Sequence, residues 1–447
     1  MFNLKNQSLQ TKQELKEYYG EVLTPYSLVE EMLNMLPNVW HSSTRWLDPA
    51  CGTGYFFHVI YNRLFSRLSQ EIPDERTREN HIQKMLTACE INSSNVEILR
   101  KDFPQMKIWN IDFLSVNPSE TFDVIIGNPP YNAKGLKKVP TRKGSKRNDG
   151  STIWTKFIRH SLKMLSPQGV LCMIVPSIWM KPDKAGIYPL LTRMNLKIRC
   201  RTNTETMTLF HKQAQTPTSI VCVQRPPETI PNTISLYDEG KWIPFHRMRL
   251  TDAIPTCYAE LASLTKQFQD QHSLGSLSDR VIKTGISSKH TTFRLESDKG
   301  HPYANIRSCV LSPLPEWTFE YSSQPCQWYD VPKIVMAHKM YGYAKADTKG
   351  YGISRRDSYI IPMDPTSEDG KKLIAYLNTR FCRALFDCAK YRMRYLEKYA
   401  FEFIPDLLGH PKWETSSTEQ ITDEWLIQLF ELSPRIIKQI QKIKLIH

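Results

Sequence analysis

The sequence predicts an α/β protein with a doubly wound, mostly parallel sheet, followed by a second, α+β domain. Three observations predict it. Over the first half of the chain, short apolar runs alternate with segments of helical periodicity. One run, Val170–Val175, is apolar throughout, as in a strand buried on both faces. After Gln224 the alternation fades, and Arg225-Pro226-Pro227-Glu228 with Pro231-Asn232 marks a boundary. The expected domains are residues 1–230 and 231–447.

Arg45-Trp46-Leu47 reads as the first strand. A Gly-rich turn, Asp48-Pro49-Ala50-Cys51-Gly52-Thr53-Gly54, leads into a helix from about Tyr55 to Ser69, and the polar stretch Gln70–Asn80 reads as an insertion. Met85–Cys89, Lys107–Asn110 and Phe122–Ile126 read as further strands, with a helix over Asn95–Lys101. Ile153, Phe157, Ile158, Leu162 and Leu165 recur at helical spacing within Ser151–Leu165. Ser166-Pro167-Gln168-Gly169 then turns the chain into the run 170–175. The second half reads as irregular, rich in Pro, Tyr, Trp, Lys and Arg. It holds one clear helix, about Gly370–Lys390, with Leu373, Leu377, Phe381 and Leu385 on one face. A last helix starts near Ser433-Pro434, an N-cap followed by proline at the first helical position.

The 447 residues suffice for two cores; 40% are hydrophobic and 23% charged, as in soluble globular proteins. No apolar run approaches the ~20 residues that span a bilayer. The start, Met1-Phe2-Asn3-Leu4-Lys5, lacks a signal-peptide core. A soluble, cytoplasmic protein is expected. The net charge of +14 attracts polyanions, nucleic acid foremost. None of the ten cysteines forms a Cys-x-x-Cys pair, so no metal is expected, and the thiols read as small buried hydrophobes in a reducing compartment.

In parallel sheets, ligands bind beyond the carboxyl ends of the strands. The Gly turn sits at one such end, where Gly-x-Gly lets backbone approach a ligand closely. It is not the dinucleotide fingerprint, because Phe57 replaces the third glycine. Asp48 adds a carboxylate that either orients a cationic ligand or caps the helix. Glu90, at the end of the second strand, can accept from two ribose hydroxyls. Asp112, after the third, can accept from an adenine amino group. At the end of the fourth strand, Gly127-Asn128-Pro129-Pro130-Tyr131 offers an amide, two prolines and an aromatic ring, a set suited to holding a planar amino group.

This combination resembles the S-adenosylmethionine-dependent DNA adenine-N6 methyltransferases, and the motif order resembles their gamma class. The likeness runs from about Gly20 to Gln224. It includes Gly20-Glu21-Val22-Leu23-Thr24-Pro25, and Leu209-Phe210-His211 with Ser219–Val223 is similar to the family's late strand pair. The resemblance implies a Rossmann-like methyltransferase sheet, S-adenosylmethionine as cofactor, and a target-recognition domain in the second half. It implies that Thr24, Pro25 and the turn Asp48, Ala50, Cys51, Gly52, Thr53 and Gly54 hold the methionine part. Glu90 with Ile91 would take the ribose, and Asp112 with Phe113 the adenine. Phe157 packs on that adenine or serves the core. Asn128, Pro129, Pro130 and Tyr131 would be catalytic, with Tyr131 stacking on the flipped base and Phe210 as its second face or a core aromatic. The chemistry supports the box independently. An adenine amine is a poor nucleophile because its lone pair is delocalised. Acceptors at Asn128 and the Pro129 carbonyl would localise that lone pair, and the prolines stiffen the loop. Cytosine-N4 enzymes usually carry Ser where this chain has Asn128.

Lys134, Lys137, Lys138, Arg142, Lys143, Lys146 and Arg147 put seven bases in fourteen residues directly after Tyr131, where they would clamp phosphates. In the second half, Tyr341-Gly342-Tyr343-Ala344-Lys345 and Lys349–Arg356 interleave aromatic and basic groups; Lys345, Arg355 and Arg356 are candidate DNA contacts. The expected partner is double-stranded DNA, acted on by a monomer, with a separate cognate restriction endonuclease as a further partner. The alternatives are an RNA adenine-N6 methyltransferase, a protein glutamine-N5 methyltransferase, a bifunctional restriction enzyme and a non-enzymatic DNA-binding module. Glutamine methyltransferases carry a helical domain before the cofactor fold, whereas here the large basic domain follows it.

Overall fold

A computed structural model describes residues 23–133, 152–182, 185–212, 214–225, 229–285, 290–310, 316–338, 343–355, 358–392 and 396–445. The chain divides into two compact units. One comprises Met1–Trp179 and Asp183–Ser235, the other Met180–Pro182 and Leu236–His447.

The first unit is built on strands β1 (Trp46–Asp48), β2 (Leu86–Cys89), β3 (Lys107–Trp109), β4 (Phe122–Gly127), β5 (Leu165–Pro176), β6 (Asn195–Arg201) and β7 (Thr218–Gln224). They lie in the order β3-β2-β1-β4-β5-β7-β6. The first five are parallel, and β7 runs antiparallel to both β5 and β6. Helices α1 (Tyr26–Met35), α2 (Tyr55–Arg67), α3 (Glu75–Met85), α4 (Ser93–Asp102), α5 (Trp154–Lys163), α6 (Tyr188–Leu191) and α7 (Asn203–Leu209) complete the unit. Every residue of β1 and β2 is buried, as parallel strands covered on both faces require. A mostly parallel α/β sheet is therefore what the alternating sequence builds.

Three local expectations need correction, and the stretch read as an insertion, Gln70–Asn80, holds the first six residues of α3. Asp74 caps α3 by accepting from the Thr77 N–H at 2.8 Å. The helix is polar yet packed, because the Arg78 stem is buried, its guanidinium lies 4.1 Å from the Phe65 ring centre, and Nη1 donates to the Ile72 carbonyl at 2.8 Å. The expected turn at 166–169 lies inside β5. Pairing runs Phe122↔Leu165 and then Val124↔Val170, so the extra residues bulge from the strand instead of ending it. Leu209-Phe210-His211 is no strand: it closes α7, which starts on a reciprocal Thr202–Glu205 capping box. The long helix of the second half is two helices, Glu368–Leu377 and Arg380–Asp387. Asn378 breaks it by exchanging both amide bonds with the Ala344 backbone at 2.9 Å, and Thr379 caps the next helix.

The second unit is more regular than its composition suggests. After β8 (Thr233–Asp238) and β9 (Lys241–His246) come β10 (Ile282–Lys283), β11 (Phe293–Arg294), β12 (Tyr303–Val310), β13 (Glu316–Ser322), β14 (Lys333–Ala337), β15 (Ala344–Asp347), β16 (Gly352–Ile353) and β17 (Ser358–Ile361). They include two four-stranded sheets, β10-β17-β14-β15 and β11-β13-β12-β16. The last helix, Pro434–Gln441, begins as its sequence indicates, with the Ser433 hydroxyl accepting from the Ile436 N–H. No helix among the described residues is long and apolar enough to cross a membrane.

Lys333 anchors the first of these sheets. It is fully buried, its Nζ lies 2.5 Å from Asp347, and it donates to the carbonyls of Trp328, Val331 and Tyr351 at 3.0, 3.0 and 2.6 Å. Removing one partner of such a pair leaves a buried charge uncompensated. Lys333→Ala should destabilise the protein by about 3–5 kcal/mol in urea unfolding, and Lys333→Ala combined with Asp347→Ala by less than the single change.

Candidate active site

Parallel register brings three strand ends together. Asp48 pairs with Ala88 on β2, and Leu47 with Ile125 on β4. Gly127 follows at the end of β4, where a Cβ would stand 2.5 Å from Asp48 Oδ1, so only glycine lets the strand pass this carboxylate. The turn after β1 closes with the Gly54 N–H on the Cys51 carbonyl at 2.9 Å. Gly54 has φ of +84°, and a Cβ there would meet Leu99 Cδ2 at 2.4 Å.

Asp48 is 1% exposed. Its Oδ1 accepts from the Ala50 N–H at 3.0 Å, while Oδ2 is buried without a hydrogen-bond partner. Burial pushes its carboxyl up to about 8; the Ala50 N–H opposes this, and the charge of Glu90 adds to it. Glu90 is tied at both oxygens, Oε2 to the Gly52 N–H at 2.8 Å and Oε1 to the Asn92 N–H at 2.7 Å. Its carboxylate thereby joins the Gly turn to the end of β2. Ile91 beside it is 55% exposed, an apolar side chain left in water at a strand end.

Asn110, after β3, donates to the Glu90 carbonyl at 2.9 Å and draws the third strand end to the second. Asp112 is exposed, with Oδ1 capping the turn Phe113–Ser115 through the Leu114 N–H at 3.0 Å. The Phe113 ring stacks on Phe157 (centres 5.4 Å apart, planes at 29°), and His160 meets its edge at 4.8 Å. Burial lowers the pKa of the His160 imidazole from its ordinary value. Asp112, Phe113 and Phe157 thus form one aromatic and acidic corner.

Asn128 Nδ2 donates to the Thr24 hydroxyl at 3.2 Å, across 104 residues of sequence. Thr24 is buried, and Pro25 opens α1, its carbonyl accepting from the Leu28 and Val29 N–H groups. Pro129 is buried, and Pro130 and Tyr131 are half-buried. The Tyr131 hydroxyl is buried without a partner, which drives its pKa far above the ordinary phenol value. Its carbonyl accepts from the Ile153 N–H at 3.1 Å and ties the box to the start of α5.

The structure brings Thr24, Asp48, the Gly turn, Glu90 and Asn128 together, but not every candidate. Phe210 is 2% exposed within the main apolar core and presents no open face to a base. Arg355 is held by Glu320. Lys345 lies on β15, half-buried, where its charge acts on the Cys309 thiol. Lys134, Lys137, Lys138, Arg142, Lys143, Lys146, Arg147 and Arg356 lie outside the described residues, as do Gly20–Val22, Tyr341 and Gly342. Sequence reasoning missed Asn92 and Asn110, which tie the end of β2. Their only signal is that each closely follows a strand. All ten cysteines are free thiols, eight of them buried. Among the described residues no cluster of His, Cys, Asp and Glu could hold a metal ion.

A parallel sheet with a Gly turn, two buried carboxylates and an Asn-Pro-Pro-Tyr box at adjoining strand ends defines a doubly wound α/β domain built to bind a small polar ligand. Residues 36–212, which contain this site apart from Thr24 and Pro25, match the model of the Eco57I restriction-modification methylase family. The type II methyltransferase M.TthHB8I of Thermus thermophilus is 36% identical over 177 residues, covering 37% of this chain and 36% of that protein. The type II restriction enzyme and methyltransferase RM.BcgI of Heyndrickxia coagulans is 26% identical over 291 residues, 60% of this chain and 41% of that one. The chain therefore covers well under half the length of these relatives. Among solved structures, a nuclease-deletion mutant of the type ISP restriction-modification enzyme LlaGI, in complex with a DNA substrate mimic, covers 88% of this chain and 46% of its own at 12% identity, with a TM-score of 0.49.

The raised pKa of Asp48 has a definite sign. The folded protein keeps this proton up to about pH 8, whereas an unfolded aspartate loses it near 3.8. Stability from this group is complete below pH ~4 and falls as pH rises towards ~8. Asp48→Asn should remove that component. Melting curves recorded across this range should show the wild type losing stability relative to the variant as pH rises, whereas parallel curves would show that Asp48 ionises normally.

Proposed function

We propose that this chain is a sequence-specific DNA methyltransferase that moves a methyl group from S-adenosylmethionine to N6 of an adenine turned out of the duplex. In motif order it would be a gamma-class enzyme, with residues 231–447 as the target-recognition domain. The observation that carries this reading is Asn128, held by Thr24 at the carboxyl end of β4 beside the Asp48 turn. The matched family of restriction-modification methylases supports it.

The residues present fit the cofactor. A buried carboxylate oxygen without a hydrogen-bond partner suits a cationic ligand, and here it is Asp48 Oδ2. Glu90, fixed by two backbone N–H groups, is oriented to accept from a pair of vicinal hydroxyls. Ile91, 55% exposed, supplies apolar surface for a purine, with the buried Phe113–Phe157 pair as packing behind Asp112. When bound, S-adenosylmethionine supplies an electrophilic methyl group on a sulfonium.

The chain's own residues prepare the nucleophile. The Asn128 amide nitrogen donates to Thr24, and its oxygen would accept one hydrogen of the target amine. The Pro129 carbonyl accepts the other. Two acceptors on one amine favour a pyramidal nitrogen with its lone pair out of conjugation. Neither proline carries an N–H, and their fixed φ holds the loop without reorganisation during the reaction. Tyr131 would stack on the extruded base, and the basic segment 134–147 would hold the phosphates. Phe210 would serve as a second face only after leaving the core. A separate cognate endonuclease would cut the unmethylated site.

Asn128→Ala should lower methyl transfer to adenine-containing duplex by roughly 10²–10³-fold or more, with cofactor affinity by calorimetry changed little; retained transfer refutes the mechanism. Thr24→Val should lower kcat by roughly tenfold, as expected for a lost hydrogen bond, and Thr24→Ser should restore it. If Thr24 instead held the cofactor alone, Thr24→Val would weaken cofactor affinity and leave kcat unchanged.

A further inference from the structure

Strands β11 and β12 both run antiparallel to β13, and Phe293 and Tyr303 both pair with Ser322. They therefore enter the sheet at the same level, one on each side of β13. The residues just before them, Thr292 and His301, come to the same end. A tight turn leads into β12: the His301 N–H donates to the Asp298 carbonyl at 3.0 Å, and the Gly300 N–H to Asp298 Oδ1 at 2.8 Å. Three side chains then join in series. His301 Nδ1 lies 2.9 Å from Asp298 Oδ1, and its Nε2 lies 2.8 Å from Thr292 Oγ1. Arg294 Nη1 closes on the other Asp298 oxygen. The hydrogen bond from His301, with the Gly300 N–H and the charge of Arg294, outweighs burial and holds the Asp298 carboxyl below its ordinary range.

An ionised Asp298 can only accept, so the proton of a neutral His301 sits on Nδ1. Nε2 is then the acceptor, and the Thr292 hydroxyl must donate to it. This is the proton order of an activated hydroxyl nucleophile, with a base behind the hydroxyl and a carboxylate behind the base. Holding the chain does not require it. The Thr292 backbone is already fixed on Ser323, its N–H donating to Oγ and its carbonyl accepting from the Ser323 N–H, each at 3.1 Å. Thr292 is exposed, whereas the His301 side chain is only 12% exposed. The hydroxyl residue thus meets solvent while its base is held in place. Because the Thr292 N–H is given to Ser323, it does not serve as an oxyanion donor. The arrangement therefore suits acyl donors with a good leaving group, such as aryl esters.

We propose that Thr292, His301 and Asp298 form a nucleophilic site that takes an acyl group from activated esters, with Thr292 and His301 catalytic and Asp298 a positioning residue. The site is independent of the proposed action on DNA. The Thr292 oxygen bonds to the ester carbonyl carbon, and its proton passes to His301 Nε2. The bond to the aryl oxygen breaks, and the phenol leaves with that proton. Water then releases the acyl group as a carboxylic acid by the same route. The full-length protein is treated with an alkyl fluorophosphonate, whose phosphorus bonds to the attacking oxygen as fluoride leaves with the hydroxyl proton. The adduct is mapped by peptide mass spectrometry, and hydrolysis of p-nitrophenyl acetate is followed in parallel. The wild type should carry the adduct on Thr292. Thr292→Ala should lose the adduct and most of the hydrolysis, and Thr292→Ser, a less hindered hydroxyl, should label faster. His301→Gln should slow labelling by about 10²-fold or more. Asp298→Asn should slow it by about tenfold or more, and Asp298→Glu should restore part of the rate. Wild-type protein left unlabelled at Thr292 overturns the assignment without any variant having to fold. Labelling as fast in His301→Gln as in the wild type, or hydrolysis unchanged in Thr292→Ala, overturns it too. Each of these results leaves the methyl-transfer reading standing.

Discussion

Parallel pairing of β1 with β2 on one side and β4 on the other is the constraint on which the site depends. It ends three strands at one level, so that a turn, a carboxylate and an amide box far apart in sequence become neighbours. The cost is close approach. Gly127 must pass Asp48 with no room for a Cβ, and Gly54 must adopt positive φ against Leu99. Asp48 then sits in a place with too few donors for a carboxylate. One oxygen has the Ala50 N–H and the other has no partner, which is why burial dominates its titration. A fold optimised only for stability would place an amide or an apolar side chain there; the under-satisfied carboxyl is what the proposed site offers a cationic ligand.

Glu90 and Asn128 follow the opposite rule. Both are oriented from behind, Glu90 by the N–H groups of Gly52 and Asn92, and Asn128 by the Thr24 hydroxyl. Bonds of this kind do not touch a substrate. They remove rotamer freedom that ligand binding would otherwise have to take away. Asn92 and Asn110 do the same for the backbone at the end of β2.

Strands β1, β2, β4 and β5 were legible as apolar runs, whereas β6, with Leu196, Ile198 and Cys200 alternating with Lys197, Arg199 and Arg201, was not read; the Gly turn and Asn-Pro-Pro-Tyr box were legible because their residue types have few other uses. What stayed hidden was set by tertiary partners. The polar helix α3 is fixed by a buried Arg78 lying on Phe65, which no periodicity of apolar residues reports. The break between Leu377 and Arg380 depends on Asn378 meeting Ala344, and strand β5 absorbs a Ser-Pro-Gln-Gly stretch because pairing resumes beyond it. Phe210, an aromatic in a family-like position, is equally a core residue by sequence, and packing decides for the core.

Charge shows the same limit. A net charge of +14 says that the chain favours polyanions, not which cations meet them. Several arginines and lysines are already engaged within their own unit. Arg199 and Arg201 close on Glu31, Lys333 is buried on Asp347, and Lys266 on Asp252. Burial separates two kinds of pair. Where the cation is inside, as at Lys333 and Lys266, the pair holds the fold, and its charge is lost to any partner. Where the carboxylate is inside and the guanidinium lies at the surface, as at Glu320 with Arg355, the acid fixes the geometry of a half-exposed group. Net charge counts the two alike.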